Sequence, residues 1–365
     1  MAEPKAPLVV VCLGVFAVMA LSNAIVPVLP VFADSSAWQG AIYAAYFLGA
    51  FISTLPGGVL ADRYGTSPLI RAGLVFTVVT GALLYLVSSP GIMILLRGCE
   101  GIGAGLFVAA ALSYVNAQSD HTRLSGYYMA LLNLGLVLGL IISGWLAVRF
   151  ATPLLGIGVF TLAAFCALLG SAVTRIPAGI RTNGREIPAV TPFIRSNLWL
   201  WYSAVILVGI TGVAASLYPK FSGSAPDVLG LWIAGMSIAT IVTVLLVSRF
   251  PLPPVQIIRW SALLMAGGIL LLAVTPLGFL VLGALAGVVM IAQMAFLARV
   301  PDHQGLLMGL FSTASYLGMA LLPFVAGVAR DLGGFGLAFA ITALLGGTVT
   351  LVTYGMYARP SSGPE

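Results

Sequence analysis

Apolar runs of about 20 residues, the length that crosses a bilayer as a helix, follow one another through this sequence with only short, turn-like breaks. Twelve can be drawn, over residues 8–32, 38–60, 70–88, 91–116, 124–149, 154–174, 197–219, 227–249, 257–275, 278–298, 305–330 and 334–357. Only 7% of the 365 residues are charged, against roughly 25% in an ordinary soluble domain. Too few charges remain to clothe a soluble surface, so the bilayer is the solvent and the fold class is an all-α membrane protein. The first run continues past Ala24 to Phe32, longer than the apolar core of a cleaved leader, and reads as a first crossing.

The net charge of +6 does not indicate nucleic acid, because the basic residues stand singly rather than in a stripe. Their distribution instead sets the topology. With a cytoplasmic N-terminus, Lys5, Arg63, Arg71, Arg123, Arg175, Arg181, Arg185, Arg195, Arg249, Arg259, Arg299 and Arg359 fall on the cytoplasmic side. Only Arg149, Lys220 and Arg330 fall on the other. That asymmetry predicts both termini in the cytoplasm; we expect a multi-pass protein of the plasma membrane. Cys12, Cys99 and Cys166 all lie in apolar runs and read as small buried hydrophobes; no ligand-spaced cluster suggests a metal. We expect a monomer.

The longest polar stretch, RIPAGIRTNGREIPAVTPFIRSN, divides the chain into bundles over 1–174 and 197–365, with 175–196 as a cytoplasmic linker whose arginines lie at the anionic lipid surface. The halves resemble each other. DHTRLSGYYMALLNLG from Asp120 aligns with DHQGLLMGLFSTASYLG from Asp302 with one residue inserted, pairing Gly126 with Gly309 and Gly135 with Gly318. One helix earlier, Gly101 and Gly105 correspond to Gly283 and Gly287. Two parallel six-helix halves are an arrangement that transporters use, with the substrate site between them near the midplane.

The fourth run contains ILLRGCEGIGAG, in which Arg97 and Glu100 interrupt an apolar helix. Counted from the turn at Ser89 and Pro90, they lie roughly 10 Å and 15 Å deep at 1.5 Å per residue. Arg97, Glu100, Gly101 and Ala104 share one helical face, and charges there must meet protein or water rather than lipid. Such a pair either locks helices together or marks a pathway. Separated from Arg97, the Glu100 carboxylate would be an isolated charge in a medium of low dielectric constant and would take a proton, so the pair is a candidate for coupling proton movement to transport. The equivalent positions of the second half, near Phe279 and Leu282, are apolar.

Between the second and third runs stands GGVLADRYGTSPLIR. This stretch resembles the loop signature of the major facilitator superfamily, matching it at Gly58, Asp62, Arg63 and Gly65. The resemblance implies two pseudo-symmetric six-helix bundles and a cytoplasmic gate in which Asp62 contacts the other half. Thr66 and Ser67 replace the basic pair expected next, leaving Arg71 as the nearest cation. LLRGCEGIGAG is similar to the fourth-helix signature of the superfamily's drug and metabolite exporters at Arg97, Gly101, Gly103 and Ala104, with Glu100 where Gln is usual. Gly135, Gly139 and Gly144 resemble the glycine-rich antiporter signature, with Leu140 in place of its Pro; close helix packing, as for Gly101 and Gly105, is the plainer account. The alignment of the halves sets Pro323 opposite Leu140.

Asn23, Tyr46, Tyr128, Asn133, Trp232, Gln293, Ser312 and Tyr316 project from helices that face the centre and are candidates to line a mostly apolar cavity. No phosphate-binding loop occurs and the only lysines are Lys5 and Lys220, so neither ATP nor another cofactor is expected. No HExxH, Ser/His/Asp set or carboxylate pair indicates an enzyme. The expected function is secondary transport by alternating access, as proton-coupled efflux of an amphipathic or drug-like small molecule. The alternatives are uptake or facilitated passage of a small metabolite or organic anion held by Arg97, and a membrane receptor that does not transport.

Overall fold

The structure, a computed structural model, describes residues 5–87, 89–174, 191–250, 253–299 and 304–357. No strand occurs among them. The first bundle comprises α1 (Lys5–Ala24), prolonged by a 3-10 turn (Val26–Val31), then α2 (Ser36–Tyr64), α3 (Thr66–Leu86), α4 (Pro90–Asn116), α5 (His121–Arg149) and α6 (Leu155–Val173). After a short helix α7 (Thr191–Ser196), within the expected linker, the second comprises α8 (Leu198–Ser222), α9 (Pro226–Val247), α10 (Pro254–Leu272), α11 (Gly278–Leu297) and α12 (Gln304–Tyr357). Residues 175–190 of that linker lie outside the described residues.

Helix boundaries follow local chemistry. Pro90, Pro226 and Pro254 open helices at the position where a missing N–H costs nothing. Gly65, at φ 90°, turns the chain from α2 into α3 within one residue. Among the described residues eleven helices are long and apolar enough to cross a membrane, the last spanning 48 residues, more than twice the roughly 20 that a crossing needs. It is broken at Gly333 and Gly334, where Gly334 has φ 79°, and its two arms complete the twelve expected crossings. Large side chains such as Leu86, Leu95, Val173, Val274 and Leu344 are exposed on the outer surface, as suits a lipid-facing wall.

Close packing repeats from one half to the other. Gly101 of α4 lies against the Tyr46 carbonyl of α2, and Gly283 of α11 lies against the Met236 carbonyl of α9. Gly135 of α5 meets the Phe16 carbonyl, and Gly318 of α12 meets that of Val205. The seams between the bundles repeat as well. Gly144 abuts the Pro226 carbonyl and Gly230 that of Leu140; Gly327 abuts the Ser36 carbonyl and Gly40 that of Pro323. At each of these positions a Cβ would collide with backbone, so glycine is what lets the helices approach. Both seams lie near the ends of the helices remote from the chain termini, the far side. On the termini side Gly58 and Gly126 have nothing within 4 Å of where a Cβ would stand. The molecule is closed on its far side.

Candidate functional site

The helix α1 ends at Ala24 because the chain tightens into a 3-10 turn with Pro27 in its first turn. That leaves carbonyls of its last turn without backbone donors. The Arg97 Nη2 donates to the Ser22 carbonyl at 3.1 Å, and Ser143 Oγ donates to that of Ala24. A cation at a helix C-terminus also meets the negative end of its dipole. The other arm of the guanidinium, Nη1, donates to Glu100 Oε2 at 2.7 Å, and the group lies 4.6 Å from the Tyr46 ring centroid. Arg97 thus ties α4 to α1 and α2.

Both charged residues are 1% exposed. This is the only fully buried ion pair among the described residues. It is not saturated: Arg97 Nε and Glu100 Oε1 are buried without hydrogen-bond partners. The glycines of GIGAG explain how two charges come to be enclosed. Gly101 and Gly105 bring α4 against α2, at Tyr46 and at Ser53, while Gly103 brings it against Phe76 and Gly73 of α3.

A cavity of about 420 Å³ opens between the bundles beside this pair. Its wall comes from α1, the 3-10 turn, α2, α5, α8, α9, α11 and α12, and none of the lining residues is charged. Tyr43 and Phe47, one helical turn apart on α2, have ring centroids 5.0 Å apart, and Phe47 reaches Tyr316 of α12 at 6.3 Å. Thr211 and Ser315 turn their hydroxyl protons onto the backbone carbonyls of Val208 and Phe311, and Thr240 onto those of Met236 and Gly283, leaving oxygen lone pairs as their free function. Gln293 Nε2 donates to Ser203 Oγ at 2.9 Å, while its Oε1 is buried without a partner.

The candidates read from the sequence divide here. Asn23, Asn133, Gln293 and Tyr316 are on the cavity wall; Tyr46, Tyr128, Trp232 and Ser312 are not. Tyr46 lies under Arg97, its ring 5.2 Å from that of Phe47, so one aromatic layer separates the ion pair from the cavity. Tyr128 is fully buried and donates to the Val108 carbonyl, and Trp232 is half-buried against a core cluster drawn from both halves. Tyr43, Phe47, Thr211, Ser237, Thr240 and Ser315 are wall residues that the sequence reading passed over. The aromatic pair at spacing i, i+4 was the available signal.

A broken first helix beside a central cavity between two repeated bundles is a transporter's architecture. The sequence profile of the Major Facilitator Superfamily matches residues 11–276. The chain belongs to that superfamily. It is a multi-span membrane transporter, of a family whose members are not enzymes. Among its relatives, the quinolone resistance protein NorA of Staphylococcus aureus (strain MRSA252) is 25% identical over 334 residues, covering 84% of this chain and 85% of NorA. A probable chloroplastic anion transporter 6 of Arabidopsis thaliana is 31% identical over 152 residues, covering 38% of this chain and 29% of that protein. The solved structure of a peptide transporter, POT, in complex with sulfate superposes with TM-score 0.77 at 13% identity, over 98% of this chain and 95% of that one.

The superfamily's loop signature falls at the α2–α3 turn on the termini side. The side chain of Asp62 lies outside the described residues. Arg63 is exposed and lies 5.5 Å from the Tyr64 ring centroid. Arg71 donates from Nε to the Ser171 carbonyl at 3.1 Å, a bond within the first bundle that ties α3 to α6. The antiporter-like glycines have separate partners: Gly135 and Gly139 pack α5 on α1, whereas Gly144 meets the other bundle at Pro226.

Proposed function

We propose that this transporter exports a small amphipathic, drug-like molecule in exchange for protons, with the bundles 1–174 and 197–365 rocking about the cavity and 175–196 linking them. The observation that carries the reading is the uncharged, aromatic-rich wall. A net-charged solute entering it would lose hydration with no counter-charge to replace it, whereas a compound with an aromatic body and a few polar groups meets rings and oxygen acceptors. NorA's name, a quinolone resistance protein of similar length, supports a drug-like solute. The anion reading would need a cation on the wall; Arg97 stands behind Tyr46 instead.

Proton coupling belongs to Glu100. Its single partner is Arg97, so it has two balanced states, ionised with Arg97 and neutral without it, and movement of the intervening Tyr46 and Phe47 layer connects the choice to occupancy of the cavity. We place the protein in the plasma membrane as a monomer; the positive-inside bias supports both termini being cytoplasmic, which sets Asp62 in the cytoplasmic gate.

Liposomes containing only this protein test the reading with a panel of fluorescent amphipathic compounds and an imposed pH gradient. Wild-type protein should concentrate at least one compound, and Glu100→Gln should equilibrate that compound without concentrating it. Undiminished accumulation by Glu100→Gln would remove Glu100 from coupling. Absence of any flux across the panel would favour a receptor.

A further inference from the structure

We infer that Asp331 is a latch on the far side of the membrane: a carboxylate of the second bundle that caps the first turn of α2 in the other bundle and holds that side closed. Its Oδ1 accepts from the Ser36 N–H at 3.1 Å, and its Oδ2 accepts from the Ala37 N–H at 2.9 Å and from the Ser35 hydroxyl. These are orphan donors at the start of a helix, where the dipole also favours negative charge. The helix's own N-cap, Ser35, accepts the Trp38 N–H through its Oγ; the Ser36 and Ala37 N–H groups before it are capped from the opposite half of the molecule.

The surroundings fit a catch that engages on closure. Gly327 and Gly40 bring α12 and α2 to backbone contact at Ser36 and Pro323, so the carboxylate reaches the helix end only when this seam is shut. Arg330 steadies the acid from within its own bundle, through Nη1 to Asp331 Oδ1 at 2.9 Å, with its guanidinium 4.8 Å from the Phe335 ring centroid. The pair is 26% and 27% exposed, so water is at hand to rehydrate the groups on release. The other seam has the same close approach, Gly144 to Pro226 and Gly230 to Leu140, yet lacks the clamp. By the offset that pairs Gly144 with Gly327, Val148 stands where Asp331 does. The first turn of α9 has its own acid, as Asp227 Oδ1 accepts the Val228 N–H at 2.8 Å. Only one of two equivalent seams is latched, so release starts at α2 and α12.

A single cysteine at Thr211 on the cavity wall, in a background without Cys12, Cys99 and Cys166, reports access when a membrane-impermeant maleimide is added to the far side of the full-length protein. Inside-out vesicles give the opposite side. Asp331→Ala should speed far-side labelling about fivefold, the population change that loss of a helix cap represents, and slow labelling from the termini side. Asp331→Asn should give a smaller change in the same sense, and Arg330→Ala little. If Asp331→Ala does not fold, Asp331→Asn carries the measurement. Wild-type labelling rates in the folded Asp331 variants would overturn the latch, as would an equal effect of Arg330→Ala. The access change needs no substrate, so failure here leaves the efflux reading untouched.

Discussion

Arg97 and Ser22 are joined across two helices: the guanidinium of one caps the last-turn carbonyl of the other at 3.1 Å while holding Glu100 on its second arm. Structural and coupling roles therefore meet in one side chain, and substitution separates them. Arg97→Ala leaves a carbonyl and a carboxylate buried without partners and should cost roughly 3–5 kcal/mol. Arg97→Met combined with Glu100→Leu removes both charges, and most of that loss should be recovered. Thermal unfolding in detergent measures both. A double variant as unstable as Arg97→Ala would show that Arg97 matters through its cap on α1 rather than through the pair. The double variant should in either case lack accumulation driven by a pH gradient.

The glycines divide into those against backbone and those facing open space, and their alanine variants should divide likewise. Gly101→Ala drives a methyl group into the Tyr46 carbonyl; overpacking of this kind costs about 1–3 kcal/mol. Gly126→Ala, inside α5 with nothing within 4 Å, should raise stability by roughly 0.5–1 kcal/mol, because alanine loses less backbone entropy on forming a helix. Comparable midpoints for the two variants would mean that the α2–α4 contact is looser than the structure has it.

Much of this architecture is legible in the sequence because the bilayer imposes a length on every helix and the duplication imposes a register. Gly283 meets the Met236 carbonyl as Gly101 meets that of Tyr46, which the alignment of the glycine pairs anticipates. The α12 break is legible too: Arg330 and Asp331 followed by Gly333 and Gly334 interrupt the apolar run, and the crossings drawn over 305–330 and 334–357 divide where the helix is kinked. The cavity is legible only in part. Tyr46 and Phe47 are adjacent, and one helical step of 100° sends one under Arg97 and the other to the wall. Which of them faces the centre depends on how α2 is rotated, and that rotation is set by Gly49, Gly101 and Gly105 at its contact with α4. The polar residues drew attention; the phenyl ring that bridges the halves did not.

Phe47 should therefore govern specificity and coupling together. It stands between Tyr46, beside the ion pair, and Tyr316 of the other bundle. Phe47→Ala opens a gap in that layer, weakening binding of aromatic compounds by about 1–3 kcal/mol for the lost apolar contact and letting water reach Glu100. Transport in liposomes should then show a raised KM together with proton leak in the absence of substrate. A raised KM with tight coupling would place the barrier at Tyr46 alone.

Gln293 offers the most specific handle on the substrate. One amide N–H is taken by Ser203, while Oε1 is buried without a donor in a residue that lines the cavity. An unmade hydrogen bond at a buried acceptor costs about 1–3 kcal/mol, a cost that an N–H or O–H donor on the transported molecule would offset. Gln293→Leu removes the acceptor together with the bond to Ser203, so stability should change by no more than about 1 kcal/mol. Binding of donor-bearing compounds should weaken about tenfold, the factor that 1.4 kcal/mol represents, and their analogues methylated at that donor should bind wild type and variant alike. Thermal stabilisation by matched pairs of compounds checks this without any transport assay. Equal losses for both members of a pair would assign Gln293 to packing α11 on α8, and the polar recognition of substrate would then fall to the oxygens of Thr211, Thr240 and Ser315.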